Sequence, residues 1–248
     1  MKGKQIAIIG LGSGGSAVAD MLARAGVGRL TLVDPDELTA DNVKRHVLDI
    51  KHVGKSKVHG MAEKYGLDVI RPVWKKFDAE VFAPLVFHAD PGGRYERSQK
   101  PDVIVSCVDS LQCESQINEY ALRNKIPAVF GGVHGDAHTV EVITVIPGET
   151  PCYDCYEREG PGPEPTQEKY TNPNYDATKM PHQEGLWCDV LMGASVQCQA
   201  VLGVLGIRER MAPLVLMSLR YPFKIETYSQ KPGCAICAED FSKLERKA

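Results

Sequence analysis

Cys152-Tyr-Asp-Cys155 and Cys234-Ala-Ile-Cys237 are two C-x-x-C pairs, far apart in the sequence. Each pair can present two thiolates from one tight turn. Together they make a tetrahedral four-thiolate site suited to Zn²⁺. Two redox dithiols, or unrelated cysteines, are the competing readings. Both pairs sit beside proline or glycine, in ETPCYDC and KPGCAIC, as a tight metal knuckle favours. Four thiolates leave no open coordination position, so the predicted zinc is structural. It would clamp residues 152–155 to the C-terminal part of the chain.

A second constellation lies at the other end of the sequence. The apolar run Ile6 to Ile9 leads into Gly10-x-Gly12-x-x-Gly15 and a helical pattern, and Leu30 to Val33 then ends in Asp34. Strand, tight turn, helix and strand with an acid at the tip form a nucleotide-site fingerprint. The helix start offers free N–H groups and a positive dipole end to a phosphate. Asp34 is placed to accept hydrogen bonds from ribose hydroxyls. The pattern alone does not say which nucleotide.

Further groups fall at the same carboxyl edge of the predicted parallel sheet, where ligands of open α/β folds bind. Asn42, Arg45 and His46 sit in a short turn after the loop 35–41, and Lys55 and Lys57 open the next helix. These cations are read either as a solvated face or as a phosphate-binding cluster. Asp109 ends an apolar strand, 101–109, where it suits Mg²⁺ held by one or two carboxylates plus substrate phosphates. The competing role is an N-cap, by Asp109 or Ser110, on a helix running to about Asn124. Cys188 opens a later helix, where the dipole favours a nucleophilic thiolate. The alternative is a partly buried cysteine beside Trp187. Cys107, Cys113 and Cys198 read as small buried hydrophobes.

The rest of the chain supplies the elements that position these groups. Strands are predicted at 69–74, 126–130 and 139–146, the last antiparallel, with one or two more over 214–229. Helices are predicted over 56–65, 78–87 and 189–206. Residues 89–100 read as an exposed loop. Residues 147–181, rich in proline, read as one long loop, a length that in compact domains is usually functional or disordered. Hydrophobic content of 43% and charge of 25% are ordinary for a globular protein. A net charge of −3 gives no argument for nucleic acid or anionic membrane. No signal peptide and no apolar run long enough to span a bilayer are read, which predicts a cytoplasmic protein.

The segments GLGSGGSAVADMLARAGVGRLTLVDPD, DNVKRH, GKSKV, VSCVDS, PCYDC and GCAIC, in this order, resemble the ThiF/MoeB/ubiquitin-activating family. Those proteins adenylate the C-terminal carboxylate of a ubiquitin-like or sulfur-carrier protein. The resemblance covers almost the whole chain. It implies an α/β fold: a Rossmann-like, mostly parallel sheet with helices on both faces, an antiparallel C-terminal extension and a four-cysteine zinc site. It implies ATP phosphates near Gly10, Gly12 and Gly15 and ribose on Asp34. Asn42, Arg45 and Lys57 match polyphosphate and catalytic positions, Asp109 matches the magnesium-linked aspartate, and Cys152, Cys155, Cys234 and Cys237 match the zinc ligands. The implied partner is a carrier protein ending in glycine, and the implied assembly is a homodimer. The implied organisation is one adenylation domain, 1–248. It comprises a nucleotide-binding core (1–146), a zinc knuckle with crossover loop (147–187) and a C-terminal part (188–248).

There are departures from the family pattern. Ser110 stands where asparagine is usual and His46 where glutamine is usual. The chain starts at the first strand, without the helical extension whose arginine reaches a neighbouring active site. Cys188 falls several residues later than the usual nucleophile. Two other function classes compete: a non-catalytic nucleotide- or carrier-binding scaffold of the same fold, and a nicotinamide-dependent dehydrogenase. The paired C-x-x-C motifs with Lys57 and Asp109 argue against the dehydrogenase.

Overall fold

The computed structural model describes residues 1–78, 100–133, 139–159, 186–218, 224–226, 234 and 236–237. The helix expected over 78–87, the loop over 89–100 and the crossover loop over 157–184 lie, but for terminal residues, outside them.

The first strand, β1 (Gln5–Ile9), is apolar on both sides. Ile6 and Ile8 enter one buried cluster, and Ala7 and Ile9 enter another on the opposite face. That two-sided burial is what a central parallel strand requires. Helix α1 (Ser13–Arg24) returns the chain to β2 (Arg29–Val33). Helix α2 (Lys57–Tyr65) follows, its N-terminus capped by the Ser56 hydroxyl accepting the His59 N–H, and leads to β3 (Ile70–Val73). After β4 (Val103–Ser106), helix α3 (Leu111–Arg123) leads to β5 (Ala128–Val133). The remaining elements are β6 (Thr139–Val145), α4 (Tyr153–Glu159), α5 (Trp187–Val204), β7 (Leu214–Ser218) and β8 (Lys224–Glu226).

The described strands form one sheet in the order β3-β2-β1-β4-β5-β6-β7-β8. Pairings from β3 to β5 are parallel, and those from β5 to β8 are antiparallel. Helices α1, α2 and α5 cover one face, and α3 and α4 the other. This is the expected Rossmann-like sheet with its antiparallel extension. The chain steps outward from β1 to β3, then resumes at β4 on β1's other side. The carboxyl ends of β1 and β4 therefore flank the topological switch point.

Three differences from the sequence reading have local causes. A two-turn helix, α4, stands inside the stretch read as loop. It is held by Tyr153 and Tyr156, one helical turn apart and both buried, and is too short to show periodicity. Helix α5 begins at Trp187, because the Asp189 carboxylate accepts the Leu186 N–H and closes the first turn early. The same helix, at 18 residues and a mean hydropathy of 1.2, is long and apolar enough to cross a membrane by length and composition. In the fold it packs on α1, with the Cys198 thiol donating to the Val18 carbonyl, and lies over β5 and β6.

Gln197 fixes α5 to the sheet. Its amide nitrogen donates to the carbonyls of Ser106 (2.8 Å) and Val129 (3.3 Å), and its oxygen faces the Cys107 thiol. A Cβ on Gly131 would lie 2.4 Å from the Gln197 side chain, so glycine there makes room for the contact. Gly193, one turn earlier, lies against Val133 at the carboxyl end of β5. The start of α5 therefore projects beyond the same sheet edge that carries the glycine loop.

Candidate functional site

The loop after β1 is constrained at two glycines. Gly10 has φ +86°, and a Cβ there would lie 2.5 Å from the Cys107 carbonyl oxygen. A Cβ on Gly15 would lie 2.0 Å from the Gly10 carbonyl oxygen. Gly12 is different: among the described residues nothing lies within 4 Å of its would-be Cβ. It is the N-cap of α1, no side chain among the described residues caps the helix, and no acid occupies the first turn. Among the described residues the first N–H donors of α1 are thus left without a side-chain cap at the switch point, as a phosphate cradle needs.

Between these glycines the Leu11 peptide is held from both sides. Its N–H donates to Asp34 Oδ2 at 2.6 Å, and its carbonyl accepts from His46 Nε2 at 2.9 Å. The other Asp34 oxygen accepts the Asp36 N–H at 2.8 Å. Asp34, buried at the tip of β2, first of all ties the glycine loop to the second strand. Each of its oxygens retains a free lone-pair direction for a further donor such as a ribose hydroxyl.

The two lysines differ in their surroundings. Lys55 is exposed and pairs with Glu63. Lys57 is only 6% exposed, with Nζ 2.9 Å from Asp36 Oδ2 and 3.9 Å from Asp34 Oδ1. A short 3₁₀ turn, Ala40–Arg45, carries Asn42 and Arg45. Asn42 Oδ1 accepts the Thr39 N–H and stiffens the turn. Arg45 is half-buried and makes no hydrogen bond or ion pair among the described residues. The next residue, His46, is the one bonded to Leu11, so this turn is fixed directly to the glycine loop.

His46 is buried with both ring nitrogens engaged. Nδ1 accepts the Leu48 N–H at 3.0 Å, which leaves Nε2 as the donor to Leu11 and fixes the neutral tautomer. Burial pushes its pKa down to about 4, against the Leu11 hydrogen bond and with the help of the nearby Lys57 charge. The unfolded chain, with an ordinary value of about 6.5, binds the proton more readily. The His46 contribution is therefore complete above pH 6.5 and lost as pH falls towards 4, amounting to roughly 3 kcal/mol. Urea unfolding between pH 7 and 4 should show this loss in the wild type. His46→Gln should lose correspondingly less stability over the same range, and an unchanged pH slope in that variant would reject the assignment.

Ser110, not Asp109, caps α3, its hydroxyl accepting the Cys113 N–H. Asp109 is left exposed at the carboxyl end of β4, at the switch point, with no hydrogen bond or ion pair among the described residues. Cys188 is exposed on the first turn of α5, where its thiol faces the Asp189 carboxylate at 3.8 Å. The described contacts do not join Cys188 to Arg45, Lys57 or Asp109. Asp36 was not marked by the sequence as the partner of Lys57, and no motif signals it.

The four paired cysteines come together. Sγ–Sγ distances are 3.7 Å (Cys152–Cys155), 3.8 Å (Cys152–Cys234) and 3.5 Å (Cys155–Cys237), and all four sulfurs lie within 4.8 Å of one another. Disulfide sulfurs would sit about 2.05 Å apart. A tetrahedral site with Zn–S of about 2.3 Å places its sulfurs about 3.8 Å apart, so the cluster fits zinc. Burial pushes the Cys152 thiol above its ordinary range. Cys234 is brought down to about 7: burial pushes it up, but the N–H groups of Cys237 and Ile236 outweigh that. Backbone donors aimed at sulfur are what a knuckle uses to hold thiolate.

A family model described as "ThiF family" matches residues 1–218. Ubiquitin-like modifier-activating enzyme 5 of Mus musculus is 31% identical over 157 residues, covering 60% of this chain and 38% of that protein. The Drosophila mojavensis enzyme of the same name is 30% identical over 160 residues, covering 62% and 40%. The chain thus spans about 40% of the length of these relatives. Among solved structures, E. coli MccB with ATP superposes with a TM-score of 0.72 at 19% identity, covering 96% of this chain and 68% of that one. PaaA superposes with a TM-score of 0.66 at 20% identity, covering 92% and 64%. At these identities the structural likeness concerns the fold.

Proposed function

This chain belongs to the ThiF family, and from that premise we propose that it adenylates the C-terminal carboxylate of a ubiquitin-like, sulfur-carrier or peptide substrate, with ATP and Mg²⁺. The observation that carries the reading is the start of α1, uncapped by any described side chain at Gly12 and joined through Asp34 to the buried Lys57. The names of the relatives, activating enzymes for ubiquitin-like modifiers, and the ATP-bound and MccA-bound structures of MccB support it.

In this reading a carboxylate oxygen of the substrate attacks the α-phosphorus of ATP. The bond from that phosphorus to the bridging oxygen breaks, and pyrophosphate leaves with the electron pair. Such a site works by positioning and by neutralising charge. The α1 amides and Lys57 bind phosphate oxygens, and Arg45 meets charge developing on the transferred group. Magnesium held by Asp109 would supply further neutralisation. Asp34 and Asn42 orient the ribose end and the turn. Residues 1–248 would act as one adenylation unit in a homodimer, with zinc on the four cysteines as a structural brace.

Isotope exchange between pyrophosphate and ATP, dependent on a carrier or peptide ending in a free carboxylate, tests the reading. Asp109→Ala should lower the exchange rate at least about 100-fold, the scale of losing one charge-stabilising group. ATP binding without exchange by a verified partner would instead identify a nucleotide-binding scaffold. Cys188→Ser should retain exchange; if Cys188 receives the acyl group, the variant forms adenylate but no thioester.

A further inference from the structure

Trp74 directly follows β3, at the carboxyl edge of the sheet. Its indole is 50% exposed, yet its place is fixed twice. Nε1 donates to the Pro35 carbonyl at 2.8 Å, and the ring makes a T-shaped contact with His59 of α2, centroids 6.2 Å apart. His59 is itself held, its Nδ1 2.6 Å from the Ser56 hydroxyl. Exposed apolar side chains are ordinary when scattered singly. Leu67, 54% exposed, is of that kind: it lies before the amino end of β3, at the opposite edge. Trp74 differs in being held rigidly at the edge where ligands of open α/β sheets bind.

Its neighbours are groups of the candidate nucleotide site. The Asp34 N–H donates to the Val73 carbonyl at 3.2 Å, so Trp74 stands next to Asp34 across the β2–β3 ladder. Pro35, which accepts the indole N–H, lies between Asp34 and Asp36, the two carboxylates around Lys57. Through His59 the indole belongs to the α2 side of the sheet, the side that α1 also covers. The strand order supplies a direction. The α1 amides proposed for phosphate follow β1, Asp34 ends β2, and β3 is the next strand outward. Neighbouring strands are about 4.8 Å apart, and a base is bonded directly to its ribose. A nucleotide laid along this edge, with phosphate at β1 and ribose at β2, brings its base to the tip of β3.

We infer that the Trp74 indole is the stacking platform for the base of the bound nucleotide. The inference rests on the ATP site proposed above and deepens it. Every base has a π face, and an indole offers it a large flat partner. A ring already held by Pro35 and His59 loses little rotamer freedom on binding. Stacking of this kind favours a nucleotide over bare polyphosphate, which carries the same charged groups and no base.

Calorimetric titrations with ATP and with inorganic tripolyphosphate, each with Mg²⁺, compare the full wild-type chain with Trp74→Ala and Trp74→Phe. Trp74→Ala is expected to bind ATP about 10- to 100-fold more weakly, the scale of one lost base–aromatic stack, with tripolyphosphate affinity unchanged. Trp74→Phe keeps a ring but not the N–H donated to Pro35, and should stay close to the wild type for both ligands. Wild-type ATP affinity in Trp74→Ala would overturn the inference. So would a parallel loss of tripolyphosphate binding, or a loss in Trp74→Phe equal to that in Trp74→Ala, because Trp74 would then act only by holding the loop at Pro35. Fluorescence gives a second readout. The chain has two tryptophans, so Trp187→Phe leaves Trp74 as the sole indole emitter. ATP should quench its emission and tripolyphosphate should not; no quenching by ATP at saturation would also overturn the inference. A wild-type chain that binds no ATP defeats the proposed ATP site, and the platform with it. ATP binding that is indifferent to Trp74 defeats the platform alone.

Discussion

Gly12→Ala is expected to abolish nucleotide binding while leaving the fold intact, and Gly15→Ala to do the reverse in order of cause, losing binding because the fold fails first. At Gly12 the backbone has φ −73°, accessible to alanine, and a Cβ would meet no described residue within 4 Å. Exchanging glycine for alanine at an N-cap costs at most about 1 kcal/mol. For a chain of this size that moves the melting temperature by roughly 2–4 °C. The added methyl would stand at the N-cap, beside the first α1 amides, and hinder the approach of phosphate to them. Binding should fall at least about 100-fold, since charge-assisted contacts of roughly 1.5–3 kcal/mol each are lost together. At Gly15 the methyl would sit 2.0 Å from a backbone oxygen that cannot rotate away. Separating helix from strand there should cost about 3 kcal/mol or more. Calorimetric ATP titration together with thermal melting distinguishes the two. Wild-type ATP affinity in Gly12→Ala would remove the glycine loop from the proposed site.

This contrast also shows why the site was partly legible in the sequence. Gly10 and Gly15 are set by contacts with β4 and with the loop itself, a packing requirement that recurs wherever a helix is wound tightly onto a strand. Asp34 was legible because an acid at the tip of β2 has few places to be. The cysteine pairs were legible because thiolate chemistry tolerates little else at that spacing. In the fold, the strands, their antiparallel continuation and the placement of α3 and α5 followed from apolar runs and caps. What escaped was set by contacts across the chain. Nothing in KSKV distinguishes Lys55, which lies on a solvated face, from Lys57, which is buried against Asp36 and Asp34. Their fates depend on where the loop after β2 returns. Helix α4 escaped because its two tyrosines face Phe130, Glu114 and Glu141, contacts that no local period encodes. His46 registered only as an unusual residue; its role as the second clamp on Leu11 needed the fold.

Stripping the metal from the four cysteines is expected to lower the melting temperature by roughly 10–15 °C. Each cross-knuckle pair joins positions 82 residues apart in the chain. Opening a cross-link across such a span restores about 4.5 kcal/mol of chain entropy to the unfolded state. With about 2–4 °C per kcal/mol for a protein of this length, the stated shift follows. The loss should not unfold the molecule outright, because the two buried clusters on opposite faces of the sheet are built mostly from residues outside the knuckles. Zinc fingers, which lack such a core, are the opposite case. The effect should be local first. Tyr153, whose ring stacks on Phe130 with centroids 4.5 Å apart, is fixed by the knuckle on one side and Asn118 on the other. Near-ultraviolet circular dichroism should therefore weaken on adding a strong chelator before the far-ultraviolet signal changes, and zinc should restore it. Cys152→Ser should reproduce the chelator's effect and Cys188→Ser should not, since Cys188 lies outside the cluster. An unchanged melting temperature after measured loss of zinc would show that the knuckles hold their positions by packing alone.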